Sequence, residues 1–360
     1  MLKRLISLTL FCTVLFFAFS FNRKTEVTPY KFPELFHFPK MPISLANPVS
    51  VEGAKLGRYL FYDTILSANY NLSCGSCHKQ ENAFSDAPNS FSKGNNSELM
   101  KRNTPALYNL AWYPSFFWDG KASSIEEQIL HPVRTHTEMN LSWLEAAKRI
   151  KQSKFYKTQF KLVFGKKEID STLITKAIGQ FLRTLLSYQS KYDRMLRGIE
   201  PLNHEEHEGY VIVNDQTMGD CLHCHPTDAS ALATTLAYSN NGLDLALQPE
   251  NFKDKGLGGI TGKVKDFGKF KIPSLRNIAI TAPYMHDGRF KTLEEVVDFY
   301  SEGVNVCANI DSKMQYAHQR GVKLNSKEKK QVVAFLKTLT DSAFISNPAF
   351  SNPFRVKQKK

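Results

Sequence analysis

After Ser20 the sequence contains no apolar run long enough to cross a bilayer. It also lacks a concentrated basic stripe. Lys and Arg outnumber Asp and Glu by 47 to 34, a formal charge of +13, but they are scattered, and Lys357-Gln358-Lys359-Lys360 is the one dense run. That distribution argues against nucleic acid as a partner and suits a mildly basic surface that steers an acidic partner. Cysteine is scarce, at six in 360 residues, and no histidine occurs between Lys79 and Leu130. No internal repeat is visible except one five-residue pattern, which uses four of the six cysteines.

The pattern is Cys74-Gly75-Ser76-Cys77-His78, repeated as Cys221-Leu222-His223-Cys224-His225. Two cysteines three apart, followed by histidine, form the attachment pattern of c-type haem. One helical turn presents both sulfurs to the porphyrin vinyl groups, and the next residue offers an imidazole to the iron. Zinc requires further Cys or His at ligand spacing, which neither copy shows clearly. Two covalently bound haem c groups are therefore expected on Cys74, Cys77, Cys221 and Cys224, with His78 and His225 as proximal ligands. With Cys12 set aside, Cys307 is left alone, so no disulfide within the chain is expected, and Cys307 reads as a small buried residue. What fills the second axial position of each iron separates an electron carrier from an enzyme.

Met1 to Ser20 carries Lys3 and Arg4, then an apolar run to Phe19 and an Ala18-Phe19-Ser20 cleavage pattern. It reads as a secretory signal peptide, with a periplasmic location and no membrane span after cleavage. Residues 21–45, rich in Pro and Phe, read as an extended arm. Helical periodicity and capping boxes predict helices over 52–62, from Ser124 to a stop at Pro132, over 142–152, from Asp170 to near Gly198, over 205–213, 293–300 and 326–339. A boundary near Glu200-Pro201 divides 21–200 from 201–345, with 346–360 as a basic tail. The expected class is all-α, two haem domains with long loops.

Three further stretches carry a resemblance. They are Phe117-Trp118-Asp119-Gly120-Lys121-Ala122 with Gln128, Pro132 and Glu138-Met139; the helix Ala177 to Leu185; and Phe270-Lys271-Ile272-Pro273-Ser274-Leu275-Arg276-Asn277 with Thr281-Ala282-Pro283-Tyr284-Met285-His286-Asp287-Gly288. Over roughly residues 45–340 the chain resembles the di-haem cytochrome c peroxidases and their MauG-like relatives. The resemblance implies two cytochrome c-like domains, a peroxidatic haem in the first and an electron-transfer haem in the second. It implies that Trp118 relays electrons between them and that Gln128 and Glu138 face the open side of the peroxidatic haem. A carboxylate at a low-dielectric haem face can take a proton from one peroxide oxygen and return it to the other. The resemblance also implies a calcium ion on Asn103, Thr281 and Pro283, whose amide and carbonyl oxygens suit a hard cation, and by analogy a homodimer.

Two departures matter. Peroxidases of the family keep an iron-capping histidine in the loop after the first motif; here that loop reads Lys93-Gly94-Asn95-Asn96-Ser97, with His131 and His136 the nearest substitutes. An open first iron is expected. At the second haem, the position of the family's methionine is Tyr300, as in MauG-like proteins, with Met285 as competing ligand; phenolate ligation lowers the reduction potential. Three functions follow. The first is a periplasmic peroxidase taking hydrogen peroxide and electrons from a small redox protein such as a cytochrome c. The second is a MauG-like oxidase of a partner protein, against which Gly219 stands where the maturation enzyme has tryptophan. The third is an electron carrier, which requires both irons to be capped.

Overall fold

The computed structural model describes residues 27–354. The signal peptide read at 1–20 and the Lys357–Lys360 run lie outside the described residues. Helix α1 (Val51–Tyr62) begins at Ser50, whose hydroxyl accepts the Gly53 N–H. The single turn α2 (Cys74–Cys77) carries the first motif. Then come α3 (Ile125–Arg134), α4 (Trp143–Gln152), α5 (Lys154–Phe164) and α6 (Ser171–Thr184). The later part contains α7 (Lys191–Leu196), α8 (His204–Asn214), α9 (Gly258–Thr261), α10 (Leu293–Asp298), α11 (Ser326–Thr338) and α12 (Ser342–Ser346).

The same helix crossing is built twice. In the first, α1 meets α6 at Gly57, where an added Cβ would sit 1.9 Å from the Ala177 carbonyl oxygen and 2.9 Å from the Phe181 Cβ. In the second, α8 meets α11 at Gly209, with corresponding distances of 1.9 Å to the Gln331 carbonyl oxygen and 2.9 Å to the Phe335 Cβ. Each crossing therefore pairs a glycine with a backbone carbonyl and with a phenylalanine four residues further on. Leu56, Leu60 and Phe61 pack with Ala177, Ile178 and Phe181 in one core; Ile212 and Val213 pack with Val332, Phe335 and Leu336 in another. This repeat is invisible in the sequence because only one glycine and one phenylalanine of each crossing are shared. Gly57→Ala and Gly209→Ala are each expected to destabilise the holoprotein by about 1–3 kcal/mol, since backbone must move. Gly259→Ala, where the nearest atom lies 3.8 Å away, is the control expected to leave thermal unfolding unchanged.

The expectation of an all-α chain needs amending. Tyr238–Ser239 (β1) and Phe270–Lys271 (β2) form a two-stranded antiparallel sheet, so the fold is mostly helical with one small sheet. Pro132 does not stop α3, which runs two residues further to Arg134. Helix α5, unmarked in the sequence reading, starts at Ser153, whose hydroxyl accepts the Tyr156 N–H.

The helix from Asp170 ends at Thr184, well short of Gly198. Its continuation is captured by Asp341, whose carboxylate accepts the Tyr188 N–H at 2.7 Å, the Gln189 N–H at 2.9 Å and the Ser187 hydroxyl at 3.0 Å. A buried acceptor from more than 150 residues away overrides helical propensity there. The N-terminal arm packs Phe32, Leu35, Phe38 and Met41 against Trp112, Leu186 and Leu232. At the other end, Phe344 and Phe350 return to the first core. Arg58 fixes that return by donating to the Ser351 and Pro348 carbonyls.

Candidate redox site

A cavity of about 1030 Å³ runs past both motifs. Cys74, Cys77 and His78 line one part of it and Cys221, Cys224 and His225 another. In each copy the histidine is fixed the same way. The His78 Nδ1–H donates to the Phe84 carbonyl at 2.7 Å, and the His225 Nδ1–H to the Ala233 carbonyl at 3.2 Å. That leaves Nε2 as the free ligand atom of each ring. Burial lowers the His78 pKa and brings that of His225 down to about 4, so both rings are neutral, as ligation requires. The residues present thus fit two c-type haems: paired sulfurs, a neutral imidazole with one free nitrogen, and an apolar space between the two sites.

The surroundings of the two motifs differ. On the first side, Glu138, Gln128 and Pro132 all line the cavity, and burial raises the Glu138 pKa against the opposing charge of Lys121. Neither substitute histidine reaches this space. His131 lies edge-on to Phe117 at 5.3 Å between ring centres, and His136 is exposed, bonded to Asn96 and Asn140. The histidines lining the cavity are His78, His225 and His286. His286 is committed elsewhere, stacked on Phe270 at 3.6 Å.

On the second side, α10 passes into a π-helical turn, Phe299–Gly303, which carries Tyr300 into the cavity. Such turns re-aim a side chain within a helix. The Tyr300 hydroxyl accepts a hydrogen bond from Asn241 Nδ2 at 2.9 Å, and the same nitrogen lies 3.8 Å from the Met285 sulfur. Both candidate ligands therefore converge on one amide. Burial raises the Tyr300 pKa, and the Asn241 donation works against that rise.

Trp118 also lines the cavity. Its Nε1–H donates to the Asn103 carbonyl at 2.8 Å, its own carbonyl accepts the Lys271 N–H at 2.9 Å, and the Asn103 N–H donates to the His286 carbonyl at 2.7 Å. The tryptophan is thus pinned by segments from both parts of the chain. Beside it Arg102 makes a two-pronged pair with Asp254 and a third bond to Asp119. The half-buried Lys271 ammonium, whose pKa desolvation brings down to about 8, donates to the Ser115 carbonyl and lies over the Tyr113 and Phe116 rings. Asn103, Thr281 and Pro283 also line the cavity. Asn241, Arg102 and Asp254 carried no sequence signal: Asn240-Asn241-Gly242 reads only as a turn, and the Arg102–Asp254 pair spans 152 residues.

A mostly helical chain with two such motifs on one cavity defines the class, a di-haem c-type redox protein. Residues 51–201 match the model of a family described as di-haem cytochrome c peroxidase. The chain is 31% identical over 306 residues to the methylamine utilization protein MauG of Methylophilus methylotrophus, across 84% of this chain and 87% of that one. It is 33% identical over 305 residues to the cytochrome c551 peroxidase of Nitrosomonas europaea, across 84% of each. Among solved structures it resembles a MauG-like protein associated with microbial copper homeostasis, at 34% identity and a TM-score of 0.82 over 91% of this chain and 100% of that one. The chain belongs to the di-haem cytochrome c peroxidase family, whose members are oxidoreductases carrying two haems.

Proposed function

We propose that the protein is a periplasmic peroxidase that reduces hydrogen peroxide to water with electrons from a small redox protein. The reaction consumes one peroxide, two electrons and two protons and yields two waters. The observation that carries this reading is the inequality of the two motifs, with a carboxyl and an amide but no histidine facing the first, and a tyrosine facing the second. When bound, the haems supply the iron redox chemistry that cleaves the O–O bond. Glu138 takes the proton from one peroxide oxygen and delivers it to the other, and Gln128 orients the peroxide from the neighbouring α3 position. Trp118, held by Asn103, relays electrons from the side of Tyr300 to the side of Glu138. In this reading the chain forms two cytochrome c-like units that meet near Glu200, supported by the doubled helix crossing. Asn103, Thr281 and Pro283 would hold calcium through neutral oxygens, a reading supported by their all lining the one cavity. Among the described residues no helix is long and apolar enough to cross a membrane.

A MauG-like oxidase of a partner protein is the second reading, favoured by Tyr300. Gly219 weighs against it. A Cβ there would lie 2.4 Å from the Ile212 carbonyl oxygen, so the tryptophan expected of such an enzyme does not fit this backbone. Mixing oxidised holoprotein with peroxide and then adding a reduced small cytochrome separates the readings. Fast cytochrome oxidation supports the peroxidase, a long-lived oxidised species that ignores cytochrome supports the oxidase, and no haem reaction removes both. For the second site, Tyr300→Phe is expected to change the spectrum and raise the potential of the second haem. An unchanged spectrum excludes Tyr300 as its ligand.

A further inference from the structure

The loop after the first motif, which holds an iron-capping histidine in peroxidases of the family, is here a small hairpin. Lys93 bridges Leu99, the Gly94 N–H donates to the Glu98 carbonyl and the Ser97 N–H to the Gly94 carbonyl, both at 3.0 Å. Its tip is pressed onto the segment that carries Glu138. A Cβ on Gly94 would sit 1.7 Å from the Thr137 carbonyl oxygen and 3.1 Å from the Glu138 Cα, so only glycine permits this approach. The next residue, Asn95, is 8% exposed, and its N–H donates to the Glu138 carbonyl at 2.7 Å. The Asn96 side-chain amide then meets the His136 Nε2 at 3.0 Å. From the other side the Met139 carbonyl accepts the Ala68 N–H at 2.9 Å, and the Met139 N–H donates to the Pro132 carbonyl at 3.0 Å. The Glu138 backbone is therefore gripped between the hairpin and the end of α3.

We propose that Gly94 and Asn95 are positioning residues: the 93–99 hairpin is a fixed buttress that holds Glu138 against the first haem site in the resting protein. This rests on the proposed role of Glu138. It gives a physical account of how a chain lacking the capping histidine dispenses with loop rearrangement. The loop is given over to close backbone packing, which glycine allows and any side chain at that position prevents. The Glu138 carboxyl itself accepts no hydrogen bond from any described residue, so its location depends on its backbone, which the hairpin holds against the end of α3. A reacting group displaced by about 1 Å loses on the order of 100-fold in rate.

The test uses the oxidised holoprotein and hydrogen peroxide, with the wild type, Gly94→Ala, Gly259→Ala, Glu138→Gln and the double variant G94A/E138Q. Gly259 lies on α9 with 3.8 Å to the nearest atom an added Cβ would meet, so Gly259→Ala is expected to stay within twofold of wild type. Gly94→Ala is expected to slow the peroxide reaction at least tenfold where Glu138 is intact and less than twofold in the Glu138→Gln background. An equal loss in both backgrounds means general damage and overturns the proposal. A rate for Gly94→Ala within twofold of wild type, while Glu138→Gln is slow, overturns the proposal alone. Glu138→Gln at the wild-type rate overturns the functional reading on which it rests. Hydrogen–deuterium exchange adds a measure independent of turnover and of whether Gly94→Ala folds. The Asn95 amide of the unaltered holoprotein is expected to exchange as slowly as the core of α3, and fast exchange there removes the buttress.

Discussion

Glu138→Gln slows the reaction with peroxide by at least about 100-fold while haem content and thermal unfolding stay at wild-type values; that is the expected result. The size follows from what a positioned acid–base group contributes to proton transfer, and from the absence, among the described residues, of a second carboxylate or of a histidine other than His78 on this part of the cavity wall. His131 is turned against Phe117 and His136 is at the surface, so neither stands in. The pH dependence gives the sign. Glu138 must be ionised to accept the first proton, so the rate rises with pH through its pKa. Burial has moved that pKa above the ordinary carboxylate value, so the limb is expected above the usual range of about 4.3. Glutamine removes the limb. Lys121 opposes the rise, so Lys121→Ala is expected to move the limb to still higher pH without abolishing it. Stopped-flow rates between pH 4.5 and 8 decide the matter. A Glu138→Gln variant that keeps the wild-type limb assigns the proton transfer to another group.

The haem-bearing residues were legible because their chemistry is local. Cys-x-x-Cys-His needs one helical turn, and α2 supplies it. The caps read at Ser124 and Thr292 similarly mark the starts of α3 and α10, because a cap is decided within four residues. What escaped was decided at long range. The early end of α6 depends on Asp341, and the doubled glycine crossing depends on carbonyls more than 100 residues distant. The link between Asn241 and Tyr300 needs a loop path that Gly and Asn content cannot specify. The cysteines and ligating histidines read from the two motifs, with Trp118, Gln128, Glu138 and Tyr300, all line the one cavity. The grip of Gly94 and Asn95 on Glu138 was not legible, because in sequence Lys93-Gly94-Asn95-Asn96-Ser97 shows only a turn lacking a histidine.

The second large effect is on stability, at Arg276. Its guanidinium is 0% exposed and makes a two-pronged pair with Asp193, itself 4% exposed, while also donating to the Ala231 carbonyl at 2.9 Å. The Arg276 carbonyl accepts the Tyr108 hydroxyl. The adjoining Asn277 donates to the Leu339 carbonyl at 2.9 Å and accepts the Asp341 N–H at 2.8 Å. The Arg276-Asn277 pair thus ties together segments near Tyr108, Asp193, Ala231 and Asp341. Arg276→Met leaves Asp193 buried without its counter-charge, and the expected loss is about 3–5 kcal/mol at pH 7.

The pH behaviour distinguishes this cause from lost packing. Burial acts to raise the Asp193 pKa, but Arg276 and the Ser190 bonds hold it below the ordinary value. In the wild type this contribution is fully present above the unfolded aspartate pKa of about 3.9, and it is lost as pH falls through the lower folded value. In the variant the sign reverses: burial raises the folded pKa, so the penalty appears as pH rises past about 3.9 and levels off above the raised value. The gap between wild type and Arg276→Met is therefore expected to be widest near neutrality and to narrow towards pH 4. Adding Asp193→Asn removes the stranded charge and recovers part of the loss; recovery is incomplete because Asp193 Oδ2 also accepts the Ser190 N–H and hydroxyl at the start of α7. Denaturant unfolding of the three holoproteins at pH 4.5 and 7 measures all of this. A pH-independent gap, unrelieved by Asp193→Asn, assigns the loss to packing around Arg276 instead of to the pair.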